Sequence, residues 1–333
     1  MPSPPRVRVA VIGAGMMGAN HARVYSELPE AELVAIADID ETRLQQVTRG
    51  PATRLYGDFR QLLAEDQPDG VSIAVPTRRH AEAALACIER GVALLVEKPL
   101  AADLAEAERL RDAADAAAVP LMVGYVERFN PAVQELKRRL DAGELGRVIE
   151  ASARRVGPFF PRERDVGVAH DLATHDIDIL RWLLGREVEQ VQAETQRGIR
   201  TPYEDALAGV LRFEGGVVAS LDVNWLSPVK VRELSLLGER GMFVVDYLAQ
   251  ELRWYPGRAG EPSQQEPQLT ALPGAGEAPL RAELVAFLRV ARRLEPPPVT
   301  AADGIAALRV ADALVAAAAR GAPVRVAAGR AGE

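Results

Sequence analysis

The sequence predicts an α/β protein: a doubly wound parallel sheet in the first third, then an α+β domain with a large, mostly antiparallel sheet. Short apolar runs alternate with helical patterns through residue 124, which is typical of parallel strands joined by right-handed helical crossovers. From residue 188 to 255 the pattern becomes long strands separated by glycine-containing turns. A length of 333 residues also suits two domains better than a single core.

In the first domain, each predicted strand is a short run of branched apolar residues, and each predicted helix has apolar residues at helical spacing. Strands are expected at residues 6–12, 32–38, 71–75, 93–96 and 120–124. Helices are expected at residues 19–28, 41–49 and 104–118.

In the second domain, helices come first and long strands follow. Helices are expected at residues 131–142 and 171–184, and strands at 148–155, 206–213, 217–225 and 233–237. A loop rich in Pro and Gly (256–279) precedes two final helices, 280–293 and 304–320. We therefore expect domains at 1–124 and 125–321, with the final helices packing back toward the first domain, and a frayed tail at 322–333.

Composition and charge argue against several classes of protein. The net charge of −7 disfavours broad nucleic-acid binding, which needs a basic footprint. The single cysteine, Cys87, permits no internal disulfide and no thiolate metal site, and it favours an intracellular protein. No uncharged apolar segment reaches the roughly 18 residues that a membrane-spanning helix needs. We therefore expect a cytoplasmic protein that binds neither nucleic acid nor membrane.

A glycine-rich loop follows the first predicted strand. Gly13, Gly15 and Gly18 form the pattern GxGxxG, and Met16 and Met17 lie between the last two glycines. In a Rossmann domain the first glycine makes the tight turn, the second lets the backbone approach a pyrophosphate, and the third allows close helix packing. The following helix points its free N–H groups at the phosphates. We therefore expect all five residues in a dinucleotide site.

Asp38 favours NAD as that dinucleotide. It ends the second predicted strand, where a carboxylate accepts hydrogen bonds from the adenosine ribose and repels a 2′-phosphate. Arg43, a few residues later, can stack on adenine or meet a 2′-phosphate, so NADP stays open as the less favoured cofactor.

Two further candidate sets lie at the ends of predicted strands. Pro76, Thr77 and His80 follow one strand, and Glu97 and Lys98 follow the next. Because ligands of open α/β sheets bind beyond the carboxyl ends of the strands, we expect all five residues to contact the dinucleotide. Beside a nicotinamide, Lys98 can also donate a hydrogen bond to a substrate hydroxyl or ketone. The alternative for Lys98 is an ordinary solvated surface charge.

Asp171, His175 and Asp178 lie at helical intervals of four and three residues and share one helix face. Two carboxylates beside an imidazole fix its tautomer and raise its basicity, which suits general acid–base chemistry. A metal site is one alternative, but neither an HExxH pattern nor a further histidine cluster supports it, so no metal is predicted. A core histidine beside a capping aspartate is the other alternative.

Taken together, these motifs resemble the Gfo/Idh/MocA family of oxidoreductases. The resemblance rests on the glycine loop 13–18, the Glu-Lys-Pro motif at 97–99 and the helix with Asp171 and His175, and it covers almost the whole chain. It implies a nicotinamide-dependent dehydrogenase acting on a CH–OH group. Lys98 and His175 would be the catalytic pair, and Asp171 would bind the substrate. It also implies homodimers or homotetramers formed through the C-terminal sheet.

Within the family, segments 124–131, 154–158 and 171–178 resemble members that oxidise UDP-N-acetylglucosamine at C3. Many family members have glycine where this chain has Ala173, which points to a sub-branch. The resemblance implies that Tyr125, Arg128 and Asn130 line the sugar pocket, and we place Asp178 with the substrate-binding residues.

A basic cluster gives a modest physical argument for a nucleotide-sugar substrate. It consists of Arg154, Arg155, Arg162 and Arg164, just before the helix that carries His175. Guanidinium groups bind a diphosphate well, so Arg154 and Arg155 are expected to clamp it. The alternative is that these arginines pair with neighbouring acidic residues on a loop.

Two other functions remain open at this point. An inositol, free aldose or other polyol dehydrogenase of the same family would need no diphosphate clamp. A non-catalytic regulatory protein that binds NAD would need neither Lys98 nor His175 for chemistry.

Overall fold

The structure, a computed structural model, describes residues 5–47, 50, 52–160, 165–262, 265–272, 276 and 278–327. The chain divides into two compact units. The first comprises Met1–Tyr125 and Leu280–Ile305, and the second comprises Val126–Pro279 and Ala306–Glu333. The predicted boundaries assign segment 280–305 to the second domain while expecting the final helices to pack back toward the first; in the structure this segment belongs to the first unit.

Parallel strands connected by helices build the first unit. The strands are β1 (Val7–Ile12), β2 (Ala31–Ala37), β3 (Arg54–Tyr56), β4 (Gly70–Ile73), β5 (Ala93–Glu97) and β6 (Leu121–Gly124). The helices are α1 (Met16–Glu27), α2 (Glu41–Gln46), α3 (Phe59–Glu65), α4 (His80–Ile88) and α5 (Leu104–Ala116). Within the described residues the strands form a six-stranded sheet in the order β3-β2-β1-β4-β5-β6. This is the doubly wound order, in which ligands bind where the strand order reverses, between β1 and β4.

The core of this unit is apolar on both faces of the sheet. Every residue of β4 and β5 is buried, as expected for parallel strands covered on both sides. Helix α8 (Pro279–Ala291) adds to this core, and a Cβ at Gly70 would lie 3.0 Å from the Phe287 ring. Cys87, on α4, is fully buried, and burial raises the pKa of its thiol to about 12.

The second unit is built on a sheet of nine strands in the described part of the chain. The further strands are β7 (Val148–Val156), β8 (Val188–Arg197), β9 (Glu204–Phe213), β10 (Val218–Asn224), β11 (Val231–Gly238), β12 (Gly241–Asp246), β13 (Glu251–Pro256), β14 (Gln268–Leu269) and β15 (Val324–Arg325). Their order is β14-β13-β12-β11-β7-β10-β9-β8-β15. Strands β7 and β10 pair in parallel and the other neighbours pair antiparallel, so the sheet is mostly antiparallel, as predicted.

Helices cover one face of this sheet. Helices α6 (Pro131–Asp141) and α7 (Thr174–Leu184) pack against it, and α9 (Ala301–Arg320) lies in this unit from Ala306 onward. Along β7, Ala151, Ala153 and Arg155 are buried, whereas Ser152 and Arg154 are exposed. We call the face that carries Arg155 the covered face and the opposite one the outer face, because successive side chains of a strand point to opposite sides.

The predicted tail differs from the structure at its start. Strand β15 pairs with β8, so residues 324 and 325 continue the sheet instead of fraying, and residues 328–333 lie outside the described part. Among the residues that the structure describes, no helix is long and apolar enough to cross a membrane.

Candidate functional site

The glycine loop between β1 and α1 has the backbone that its sequence predicts. Gly13 has a φ of +102°, and a Cβ there would lie 2.5 Å from the Ala74 carbonyl oxygen. A Cβ at Gly18 would overlap with the Gly13 carbonyl. At Gly15, the residue before α1, a Cβ would meet no atom within 4 Å. The first and third glycines are therefore required by packing, whereas the second leaves the helix N-terminus open to a ligand.

Asp38 lies beside this loop. One of its carboxylate oxygens accepts a hydrogen bond from the Ala14 amide at 2.6 Å, and the other accepts one from the Asp40 amide at 2.8 Å. The side chain of Arg43 turns toward Asp40, with Nε 3.3 Å from its carboxylate. Asp38 thus ties the end of β2 to the glycine loop, where a dinucleotide ribose would lie, while Arg43 is committed to a local ion pair.

Lys98 stands out in an otherwise buried stretch. All residues from 92 to 101 are described, and Lys98 alone is not buried.

His80 is 1% exposed, with Nδ1 2.9 Å from the Pro99 carbonyl oxygen and Nε2 3.0 Å from that of Val75. The His80 ring therefore joins the two strand-end loops, and its contact with a cofactor stays a prediction. Beside it, Thr77 is buried, whereas Pro76 is exposed, as is Met16 of the glycine loop.

Glu97 has a buried partner on another element, and its predicted contact with a cofactor stays a prediction. Its carboxylate is buried, and Oε1 lies 3.0 Å from Nε2 of His21 on α1. Glu283 on α8 joins them, and ligand atoms of the three residues lie within 4.8 Å of one another. The set has the donor atoms of a metal site, but the hydrogen bond between His21 and Glu97 already gives it a structural role beneath Lys98. Sequence reasoning missed it because three distant elements contribute.

The second candidate set lies at the start of α7. Residues Ala169–Ala173 form a π-helical turn that continues into α7, which corrects the predicted regular helix from 171. A π turn widens the helix by one residue, so Asp171 and His175 do not have simple α-helical spacing. Each of the two side chains is 7% exposed, and both are therefore held by their surroundings. Such turns are frequent at functional sites.

Three predicted substrate residues take part in buried structural contacts. Arg128 makes two hydrogen bonds to Asp178, at 2.8 and 2.6 Å, and both side chains are buried. Asn130 is 1% exposed and caps α6: its side chain accepts from the Ala132 amide and donates to the Tyr247 carbonyl. Asn130 is therefore an internal cap, and the bidentate Arg128–Asp178 pair fixes the middle of α7. Tyr125, at the end of the first unit, is also buried.

Arg155 is the centre of a buried ionic cluster on the covered face. Its guanidinium makes hydrogen bonds to both carboxylate oxygens of Asp176, at 2.8 and 2.9 Å, and to Glu127 at 3.0 Å. The Tyr247 ring lies against it, 5.1 Å from centroid to guanidinium carbon. Burial lowers the pKa of Arg155, but the charges of Asp176 and Glu127 outweigh it and leave that pKa above its usual value. Its role is to hold α7 on the sheet.

Arg154 does not act with Arg155. It lies on the outer face, half-exposed, with Nε 3.0 Å from the Asp222 carboxylate. The two predicted members of a diphosphate clamp therefore point away from each other, because adjacent residues of a strand alternate in direction. The other two arginines of the predicted cluster, Arg162 and Arg164, lie outside the described residues.

Two basic residues that sequence reasoning missed lie next to Arg155. Arg232 pairs directly with Arg155 in the β11–β7 register, and its Nη1 is 3.6 Å from Glu127. Burial and the charge of Arg155 lower the pKa of Arg232, although Glu127, Asp176 and Asp171 oppose the shift. The pKa of Lys230 is also lowered, mainly by loss of hydration and secondly by the charge of Arg232. The sequence pattern that could have identified these two residues is the Lys-x-Arg spacing at the start of β11.

Each unit can therefore do part of an oxidoreductase's work. The first can hold a dinucleotide at the glycine loop, beside Asp38, and it presents Lys98 at a strand end. The second presents His175 and Asp171 on a fixed helix, with Arg232 nearby.

Family models and known proteins agree with this description. The model described as "Oxidoreductase family, NAD-binding Rossmann fold" matches residues 7–125, and that of the "GFO/IDH/MocA C-terminal domain" matches residues 133–244. The chain is 33% identical to inositol 2-dehydrogenase 2 of Saccharopolyspora erythraea over 332 residues, or 96% of each chain. It is 30% identical to UDP-N-acetylglucosamine 3-dehydrogenase of Acidithiobacillus ferrooxidans over 305 residues, covering 91% of this chain and 94% of that one.

The fold agrees as well. A crystal structure of the Acidithiobacillus ferrooxidans UDP-N-acetylglucosamine 3-dehydrogenase superposes with a TM-score of 0.83 and 27% identity, covering 94% of this chain and 98% of that one. The glycine loop with Asp38, the parallel six-stranded sheet and the C-terminal sheet thus occur together in the described part of this chain. The chain belongs to the Gfo/Idh/MocA family of NAD-binding oxidoreductases and is a dehydrogenase that acts on a CH–OH group.

Proposed function

We propose that this enzyme oxidises a ring hydroxyl of a nucleotide sugar, with C3 of UDP-N-acetylglucosamine as the candidate position. Support comes from the resemblance of segments 124–131, 154–158 and 171–178 to enzymes of that type and from the relative in Acidithiobacillus ferrooxidans. The single observation that carries the chemistry is the fixed position of His175. It follows a π turn on a helix whose next residue, Asp176, is tied to the sheet by Arg155.

In this proposal His175 accepts the proton of the substrate hydroxyl, and Asp171 accepts a hydrogen bond from a neighbouring hydroxyl of the sugar. Lys98 donates a hydrogen bond to the same oxygen and stabilises the charge that develops on it. The glycine loop and Asp38 would hold NAD, which would supply the hydride acceptor. His80 and Glu97 position Lys98, because their hydrogen bonds fix the residues on either side of it.

A polyol is the second candidate substrate. The observation that favours it is the 33% identity to inositol 2-dehydrogenase 2 over 96% of both chains. A cyclic polyol presents the same secondary hydroxyl to His175 and Lys98, so the mechanism is unchanged. Only the groups that recognise the rest of the substrate differ.

The test is NADH formation, followed by absorbance, with UDP-N-acetylglucosamine, N-acetylglucosamine, myo-inositol and free aldoses, and with NAD and NADP in parallel. We expect turnover with the nucleotide sugar and NAD. Lys98→Met and His175→Gln should each lower kcat by about 10²- to 10⁴-fold, the range for a lost acid–base group. The Lys137→Met variant, whose lysine forms an ion pair with Asp141 on α6, is the control and should keep full turnover.

NAD binding, measured by quenching of tryptophan fluorescence, should survive in the Lys98→Met and His175→Gln variants. Turnover of myo-inositol but of no nucleotide sugar would establish the polyol alternative. If no compound gives NADH although NAD binds, a regulatory NAD-binding protein is the better description.

A further inference from the structure

We propose that Arg232 and Lys230 bind an anionic group, a phosphate or a carboxylate, that the sugar substrate carries. The inference rests on the proposed function, since it concerns the substrate of the same site. It assigns to this pair the recognition that the sequence assigned to Arg154 and Arg155.

The first step is where the sheet places Arg232. Strands β11 and β7 are antiparallel, and Arg232 lies opposite Arg155 in their register. Along β11, Leu234 and Leu236 are buried on the covered face, and Arg232 continues that row by the two-residue repeat of a strand. The guanidinium of Arg232 therefore lies on the side of the sheet that α7 covers.

The second step is that the guanidinium of Arg155 is hydrogen-bonded to carboxylates, whereas that of Arg232 is not. Arg155 makes three hydrogen bonds, to Asp176 and Glu127. The Arg232 guanidinium makes none to any described residue, and its ion pair with Glu127 is a long one, at 3.6 Å. Its side chain is only 27% exposed. A largely buried guanidinium with five N–H donors gains most from a ligand that accepts hydrogen bonds.

Lys230 adds a second cation to the same place. It lies two residues before Arg232, close enough to Arg232 and Arg155 that their charges help to lower its pKa. Unlike Arg232, which has the long ion pair with Glu127, Lys230 forms no ion pair with any residue in the described ranges. Glu127 offsets the burial of the two cations and the repulsion between them only in part, because the pKa of each stays below its usual value. Phosphate and carboxylate oxygens fit both donors.

The third step connects the pair to the reaction. The carboxylates whose charges raise the pKa of Arg232 are Glu127, which also forms an ion pair with it, Asp176 and Asp171. Two of these serve Arg155, whereas Asp171 belongs to the π turn that leads to His175. The anion would therefore bind beside the sugar hydroxyls that Asp171 recognises, in the same unit.

The experiment measures binding directly, so it does not depend on turnover. The enzyme saturated with NADH is titrated in a calorimeter with UDP, UDP-N-acetylglucosamine, glucuronate and myo-inositol. The variants are Arg232→Gln and Lys230→Met. Arg154→Gln is the matched control, because it removes the same charge one strand away on the outer face.

We expect Arg232→Gln to raise the Kd of the anionic ligand about 10- to 100-fold, as for the loss of charge-assisted hydrogen bonds, and Lys230→Met to act in the same direction. The Arg154→Gln variant should bind the anionic ligands with the Kd of the wild type. The Kd of myo-inositol should be the same in every variant. A loss for UDP and UDP-N-acetylglucosamine identifies a phosphate as the anion, and a loss for glucuronate identifies a carboxylate.

Equal weakening of the neutral polyol, unchanged binding of every anion, or an effect of Arg154→Gln as large as that of Arg232→Gln would overturn the inference. Circular dichroism melting shows whether the Arg232→Gln variant folds. If it does not fold, the Lys230→Met variant carries the test, because Lys230 is exposed and its substitution leaves the core intact. Failure of the proposed function looks different: the wild type then binds an anion at this pair yet forms no NADH from any sugar.

Discussion

At Arg155 a guanidinium is completely removed from water, next to two carboxylates that are themselves almost buried. Its hydrogen bonds connect strand β7 to Asp176 on α7 and to Glu127 ahead of α6. Breaking such a cluster on one side leaves uncompensated charge in the interior, which is much worse than losing an ion pair in water. One residue earlier, Arg154 makes an ion pair of similar length between half-exposed side chains, where water screens the charges.

This contrast predicts the stability of two matched variants. Arg155→Met should lower the free energy of unfolding by about 3–5 kcal/mol, because Asp176 and Glu127 lose their partner inside the protein. Arg154→Met should change it by about 0.5 kcal/mol or less. Urea unfolding followed by circular dichroism checks both values. Equal effects at the two positions would contradict the burial argument.

The π turn before α7 shows how one element depends on another far away in sequence. Glu204, at the start of β9, is buried and accepts a hydrogen bond from the Ala169 amide at 3.3 Å. The Asp171 amide donates to the Gly167 carbonyl at 2.9 Å. A carboxylate is favourable at the amino end of a helix. Glu204 therefore fixes the turn that carries Asp171 and leads to His175.

Gly167 leaves room for this contact, because a Cβ there would overlap with the Glu204 carboxylate and push it away from the turn. Gly167→Ala should destabilise the protein by about 1–3 kcal/mol and lower kcat as Asp171 shifts. Gly57→Ala is the control, since a Cβ at Gly57 meets no atom within 4 Å. Thermal melting and steady-state kinetics are the measurements. A variant with normal stability and normal kcat would show that Glu204 does not position the turn.

Local sequence was enough to predict elements whose chemistry is local. The glycine loop and its helix need only neighbours along the chain, so the strained backbone of Gly13 could be expected. The π turn could not, because Glu204 stabilises it from another strand. Arg232 and the buried contact of His21 with Glu97 were missed for the same reason: both depend on the pairing of distant elements.

The order of elements predicted the architecture of the whole chain, since alternating strands and helices leave few topologies. Domain membership was harder. Segment 280–305 follows the second sheet in sequence, yet its apolar residues, among them Phe287, pack in the first unit. Periodicity shows that a helix has an apolar face but does not locate a domain boundary.

The outer face of the nine-stranded sheet is where the expected homo-oligomer would form. It carries partly exposed Val210 and Val218 on adjacent strands, 47% and 38% exposed. Apolar residues on an uncovered sheet favour burial against a second copy. Sedimentation should show a dimer or tetramer in the wild type, and Val210→Asp should shift it toward monomer. Leu294→Asp, at a residue 68% exposed in the first unit, should leave the assembly unchanged. A monomeric wild type would refute this expectation.

The reactivity of Cys87 can be used to measure how often the first unit opens. It is the chain's one cysteine, it is fully buried, and its raised thiol pKa makes it unreactive while the fold is closed. Modification by a thiol reagent therefore requires the domain around α4 to open, so the labelling rate measures how often that happens. Any ligand that binds only the closed form slows labelling by a factor that grows with its concentration over Kd, about 100-fold at 100 times Kd. Labelling kinetics can thus rank NAD against NADP on the unmodified protein before any substrate is known.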